Sequence, residues 1–222
     1  MARLRFIFFD VGNTLLFPNR ARILAPLPQD RHPNLEHWRA LERRTKQEFD
    51  RGMMGGKVDH GFWWTFHTYL LDELSLPADG VRDLLVQNTQ QSANWDQILP
   101  GTRAVLERIG QQYATAVISN ADGRIDAVLR RCGIAECFHS ITDSGIVGQE
   151  KPHPAIFEAA LREMKAEPAE SLYVGDVYSV DYVGARNAGM EAVLLDVAGA
   201  YRERGLPRVE SLDELEGWLR AR

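Results

Sequence analysis

After residue 100 the chain alternates between two patterns of apolar residues. The short runs "ATAVISN", "SLYVGD" and "EAVLLD" are apolar at most positions, as is "LRFIFFD" near the start, and "FHSITD" is a less regular example. Runs of that length predict strands, and apolar residues on both faces predict a sheet covered on two sides. Between them, "GTRAVLERIG", "ADGRIDAVLRRCG", "HPAIFEAALREMK" and "VDYVGARNAG" repeat apolar residues every three to four positions. Three of these four end in Gly, a frequent C-terminal helix cap. Strand and helix in alternation predict an α/β fold, a parallel sheet with helices on both faces.

Residues 17–96 interrupt the alternation. "NLEHWRALERRTKQEFDRG" and "DHGFWWTFHTYLLDELSL" read as amphipathic helices, with Asn34 and Asp59 placed to cap their starts, and a third helix is predicted over "ADGVRDLLVQNTQQ", after Pro77. "FPNRARILAPLPQDRHPN" holds four prolines and is predicted to be extended or looped. The chain therefore divides into an α/β core, residues 1–16 and 97–222, and a helical insertion, residues 17–96. Internal repeats and low-complexity tracts are absent.

Charge narrows the choice of partner. The 222 residues carry 26 basic and 31 acidic side chains spread along the chain, a net charge of −5. No basic stripe suggests nucleic acid or an anionic membrane surface, which leaves small molecules or other proteins. The apolar run Phe6–Phe9 is far shorter than a signal or membrane segment and is cut by Asp10, so a soluble, cytoplasmic protein is expected. Cys132 and Cys137 then read as reduced thiols, with a disulfide between them the alternative. Nothing in the pattern bears on oligomeric state.

Polar residues end the predicted strands: Asp10, Ser119 with Asn120, and Asp176. Open parallel sheets bind ligands at the carboxyl ends of their strands. One such residue reads equally well as a cap for the next helix; three in one chain favour a site.

The motifs "DVGNT" (10–14), "ISN" (118–120), Lys151 within "GQEKPHP", and "GDVYSVD" (175–181) occur in an order that resembles the haloacid dehalogenase-like hydrolase superfamily. "LPG" at 99–101 and "KPHPAIF" are similar to its phosphatase branch, with a helical cap inserted after the first motif. The resemblance covers nearly the whole chain and implies a Rossmann-like core, a cap over 17–96 and a small phosphorylated substrate. It implies Asp10 as a nucleophile that forms an aspartyl-phosphate, and Mg²⁺ held by Asp10, the Gly12 carbonyl and Asp176. It further implies that Asp181 orients that shell and that Lys151 pairs with Asp10 and the phosphoryl group. Ser119 and the Asn120 backbone amide would donate to its oxygens, and Thr14 would steady the loop. Gly12 and Asn13 suit a tight turn with positive φ.

One position departs from the pattern. Most phosphatases of this family carry a second Asp two residues after the nucleophile, as acid and base, where this chain has Gly12. Such proton transfer is typically worth about 10² to 10⁴ in rate. Haloacid dehalogenases carry an aromatic residue there and phosphonate hydrolases a small one. Two alternatives to a phosphatase stay open: a metal-free dehalogenase attacking carbon with Asp10, and a non-catalytic protein binding a phosphorylated ligand or a protein partner. The two acids of "GDVYSVD" argue against the first. His32, His37, His60 and His67 are candidates to replace the missing acid. Lys46 and Lys57 are candidates for the imine-forming lysine of phosphonate hydrolases. In "GFWWTFHTYLL", Phe62, Phe66, Tyr69 and Leu70 fit the insertion's own core, leaving Trp63 or Trp64 to face the site.

Overall fold

The apolar runs pair side by side in the computed structural model of the chain, which describes residues 3–54 and 61–222. The strands are β1 (Phe6–Phe9), β2 (Ala114–Ser119), β3 (Ser140–Asp143), β4 (Ser171–Gly175), β5 (Glu191–Leu195) and β6 (Arg208–Val209). All pairings are parallel, in the order β3-β2-β1-β4-β5-β6. This is the doubly wound Rossmann order, with β1 at the centre and the reversal between β1 and β4. The five predicted strands are present. The sixth has only two residues, too few for a periodic signal, and is held by Leu194 N–H to the Pro207 carbonyl and Asp196 N–H to the Val209 carbonyl.

Four helices lie between β1 and β2: α1 (Arg20–Ile23), α2 (Leu35–Met54), α3 (Phe62–Glu73) and α4 (Val81–Gln90). The rest follow the strands: α5 (Thr102–Gly110), α6 (Ile125–Arg131), α7 (Ser144–Val147), α8 (Pro154–Met164), α9 (Val183–Asn187) and α10 (Leu212–Arg220). One face of the sheet, with Ile7, Phe9, Val117 and Val174, packs on α5, α6 and α10; the other, with Phe8, Ile118 and Tyr173, packs on α8 and α9. Helices α1 to α4 enclose a separate cluster of Ile23, Trp38, Leu41, Phe66, Leu70 and Leu85.

The local signals have mixed outcomes. Asn34 caps α2 by accepting from His37 N–H at 2.8 Å, while Asp59 lies outside the described residues. Gly133 and Gly189 adopt the left-handed conformation after α6 and α9, whereas Gly110 stays inside its helix. The proline-rich stretch corrects the expectation of a loop. Between Pro18 and Pro26 the chain has room for one helical turn, α1, whose start Asn19 caps by accepting from Arg22 N–H. The segment predicted as one helix over 180–189 begins as a π-helical turn, Tyr178–Tyr182, before α9.

Helix α2 reaches across to the sheet's carboxyl edge. Arg43 donates to the Ala198 carbonyl (2.9 Å), Gln47 to the Ala200 carbonyl (3.3 Å), and Asp50 accepts from Ser179 N–H (2.9 Å). Spacings of four and three residues put these side chains on one face. Among the described residues no helix is long and apolar enough to cross a membrane.

Candidate active site

The reversal of strand order brings two chain turns together. β1 ends one residue before Asp10, β4 ends at Gly175 just before Asp176, and the Asp10 N–H continues the ladder to the Val174 carbonyl at 2.8 Å. Carboxylate oxygens of Asp10, Asp176 and Asp181 lie within 4.8 Å of one another. After Asp10 the chain turns sharply: the N–H groups of Thr14, Leu15 and Leu16 converge on the Val11 carbonyl, and Asn13 takes φ 53°. Gly12 has no positive φ, contrary to expectation. A Cβ there would lie 3.5 Å from the Trp95 ring. The Thr14 hydroxyl points at Asp10 Oδ2 from 3.4 Å, a long contact.

Lys151 is buried, and its ammonium has three acceptors for three donors: Asp10 Oδ1 at 2.6 Å, Asp181 Oδ1 at 2.8 Å and the Tyr173 hydroxyl at 2.8 Å. The pairing with Asp10 matches the expectation from sequence. Direct contact with a phosphoryl group would require exchange of one of these partners. Asp181 turns its other oxygen, Oδ2, to the N–H groups of Asp176 (3.1 Å) and Val177 (2.9 Å), so it splints the turn after β4. That splint needs Gly175, because a Cβ there would fall 2.5 Å from the Asp181 side chain. The Asn120 side chain clamps the Lys151 backbone through both its amide groups, at 2.7 and 3.0 Å. Ser119 is buried and lines the cavity over Asp10. Tyr173 escaped the sequence reading because a tyrosine inside an apolar strand looks like core; only its hydroxyl distinguishes it.

Electrostatics make the cluster unusual. Burial pushes the Asp10 carboxyl up to about 6, with Asp181 adding to it and Lys151 opposing. Burial, Asp10 and Asp181 push Asp176 up to about 7 against the pull of Lys46. Lys46 comes from α2, and its Nζ sits 2.8 Å from Asp176 Oδ2 and 2.7 Å from Glu42 Oε1. Burial alone would lower the two lysines, but the carboxylates outweigh it and hold both above the ordinary range. An ammonium so held is a poor nucleophile, which argues against imine chemistry at Lys46; Lys57 lies outside the described residues.

Among the described residues, four buried carboxylates (Asp10, Asp176, Asp181, Glu42) share two buried ammonium groups (Lys46, Lys151) in ion pairs, an excess of two negative charges when all four are ionised. Hard oxygen donors with that excess charge fit one divalent cation such as Mg²⁺, and no cysteine or histidine among the described residues belongs to the cluster. Asp10 and Asp176 would hold the ion. Asp181, with both oxygens engaged by hydrogen bonds, suits a supporting position.

A cavity of about 430 Å³ opens above the cluster. Trp63 lines it; Trp64 does not, being half-exposed beneath the Arg82 guanidinium. Phe66 and Leu70 belong to the insertion's core and Tyr69 packs against it with Arg44 over its ring, but Phe62 turns to the cavity. None of the described histidines lines the cavity. His32 contacts the Leu27 carbonyl and His37 pairs with Glu73 at the surface, while His60 lies outside the described residues.

His67 is fully buried against the Thr89 hydroxyl at 2.8 Å, and burial lowers its pKa to about 3. It is therefore neutral at working pH and cannot donate a proton as imidazolium. The unfolded imidazole titrates near 6.5, so stability is lost as pH falls below that value toward 3, at about 1.4 kcal/mol per unit. Between pH 7.5 and 5 the wild-type protein is expected to lose about 2 kcal/mol by this route. His67→Gln should lack that component in urea melts, and identical pH profiles for the two proteins would refute it.

The chain is similar in sequence and fold to known proteins. Residues 4–189 match the family model for haloacid dehalogenase-like hydrolases. The bovine haloacid dehalogenase-like hydrolase domain-containing protein 3 is 30% identical over 208 residues, covering 87% of this chain and 82% of the relative. Glyceraldehyde 3-phosphate phosphatase of Pyrococcus furiosus is 28% identical over 226 residues, covering 96% and 89%. In fold, the magnesium-bound HAD-hydrolase YfnB of Bacillus subtilis superposes with a TM-score of 0.71 at 22% identity, over 98% of this chain and 99% of that one. The L-2-haloacid dehalogenase of Xanthobacter autotrophicus gives 0.65 at 19% identity, over 98% of each chain. A phosphatase by sequence and a dehalogenase by fold both resemble this chain, and the family is set by the matched sequence: the chain belongs to the haloacid dehalogenase-like hydrolases.

Proposed function

We propose that the protein is a Mg²⁺-dependent phosphatase that hydrolyses a small phosphorylated metabolite through an aspartyl-phosphate on Asp10, with residues 17–96 as the cap over the site. The observation that carries this reading is the charge count: a carboxylate at the mouth of β1, ion-paired to Lys151, within a buried network whose carboxylates outnumber its ammonium groups by four to two among the described residues. A bound divalent cation would balance that charge and polarise the phosphoryl oxygens. Asp10 would attack phosphorus through one oxygen, steadied by Lys151, which Asp181, Tyr173 and the Asn120 clamp hold in place. Ser119 and the Asn120 N–H would donate to the phosphoryl oxygens. A metal-free dehalogenase fits less well, because three crowded carboxylates would repel the carboxylate of a haloacid.

Acetyl phosphate is the simplest probe, since its leaving group needs no proton. Turnover with Mg²⁺, abolished by chelator and accompanied by no halide release from 2-chloropropionate, is the expected result. Metal-independent halide release would reverse the assignment. Lys46→Met should test the charge count through stability alone. Breaking a buried pair by removing one partner costs about 3 to 5 kcal/mol. Here it strands Glu42 and Asp176, so the melting temperature in chelator should fall and the rise on adding Mg²⁺ should exceed that of wild type. An unchanged melting temperature would mean that Lys46 does not balance these carboxylates.

A further inference from the structure

One wall of the cavity is aromatic without a break. Phe49 meets Phe62 edge to face at 5.5 Å between centroids, Phe62 meets Trp63 at 4.9 Å, and Trp63 meets Trp95 at 5.4 Å. All four rings line the cavity, and the row ends over Gly12, 3.5 Å from where a Cβ would stand. Trp95 is pinned there by its indole N–H, which donates to the Thr89 carbonyl at 2.7 Å. The charged groups gather instead at the sheet end, and Lys151 is the one lysine or arginine among the described residues that line the cavity. Asp122, on the cavity rim, is engaged by the Ser92 hydroxyl and N–H.

From this geometry we infer that the substrate is an aryl monophosphate, its phosphate at Asp10 and its aromatic leaving group stacked along Phe62, Trp63 and Trp95. The inference rests on the phosphatase reading and adds the leaving group to it. Two independent features converge. Ring faces and edges favour a flat π-system over a polyhydroxylated sugar, and among the described residues that wall holds no cation for a second charged group. Beside the leaving oxygen, position 12 offers no side chain, Trp95 offers carbon and no described histidine lines the cavity, which favours a leaving group stable as an anion.

The chemistry balances without a further co-reactant. An Asp10 oxygen bonds to phosphorus, the bond from phosphorus to the aryl oxygen breaks, and its electron pair leaves as a phenolate that takes a proton from solvent. Water then attacks the same phosphorus, the Asp10 oxygen departs as carboxylate, and the water's proton passes to solvent. Aryl phosphate and water yield a phenol and inorganic phosphate.

Three monophosphates assayed on the Mg²⁺-loaded protein separate the features: 1-naphthyl phosphate (aromatic, acidic leaving group), acetyl phosphate (acidic, not aromatic) and cyclohexylmethyl phosphate (apolar, not acidic). The expected kcat/KM for 1-naphthyl phosphate is at least tenfold above each of the others. A smaller advantage over acetyl phosphate would overturn stacking as the basis of selection. A smaller advantage over the cyclohexylmethyl ester would mean that a proton donor is present after all. Either result leaves the phosphatase reading standing if acetyl phosphate turns over; if none of the three is hydrolysed, that reading fails and takes the inference with it. Trp63→Leu should lower the naphthyl-to-acetyl ratio at least tenfold and Trp63→Phe should restore most of it, while an unchanged ratio in folded Trp63→Leu protein counts against the inference. The substrate series on wild type stands without either variant.

Discussion

Asp10→Asn is expected to lower hydrolysis of acetyl phosphate by at least about a thousandfold, the scale on which removing a nucleophile acts. The substitution keeps the shape of the side chain and removes its attacking charge. The fold should survive, and the metal-free protein should melt no lower than wild type, because the lost carboxylate is one that burial already disfavours: its pKa stands at about 6, against an ordinary 3.8. Acid-quenched wild-type protein incubated with labelled acetyl phosphate should carry a hydroxylamine-sensitive label that the variant lacks. A variant retaining more than a few per cent of the wild-type rate would move the nucleophile elsewhere.

Lys151→Met should damage both activity and stability. The variant leaves Asp10 and Asp181 buried together with their shared cation gone, and breaking such a set costs about 3 to 5 kcal/mol. For a chain of this length that corresponds to a fall of about 6 to 20 °C in melting temperature. The pH dependence has a definite sign. Asp10 and Asp181 hold Lys151 above its ordinary 10.5, so the stabilisation is fully present below that pH and fades only above it. In the variant Asp10, raised by burial and without its cation, can take up a proton as pH falls, so the gap from wild type should narrow between pH 8 and 5. A gap that is constant across that range would show that the lost ion pair is not its source.

Much of this site was legible in the chain because its charged residues interrupt apolar runs. Asp10 and Asp176 stand where strands stop, and Lys151 and Asp181 were placed by their neighbours in motif. What stayed hidden depends on distance in three dimensions. Lys46 was a candidate for imine chemistry, but nothing in "ERRTKQEF" shows that it turns inward to pair with Asp176. Trp95 follows a helix and reads as a stray aromatic, yet its ring covers the position left empty by Gly12. The fold followed the same rule: long periodic segments were readable, while β6, α10 and the turn α1 were not. α1 and β6 are too short for periodicity, and α10 lies in a stretch that the strand-and-helix alternation did not reach.

The side chains of α2 that bond to the sheet's edge lie within two turns of Phe49, which lines the cavity together with Met53. Selectivity and durability are therefore inherited together. A change along this helix that admits a new leaving group also perturbs the contacts that hold the helix to the sheet, so lineages drifting in substrate preference should drift in heat tolerance too. Directed evolution for a bulkier substrate would have to start from a stabilised parent, or accept compensating changes at Ala198, Ala200 and Ser179, the residues on which the helix rests.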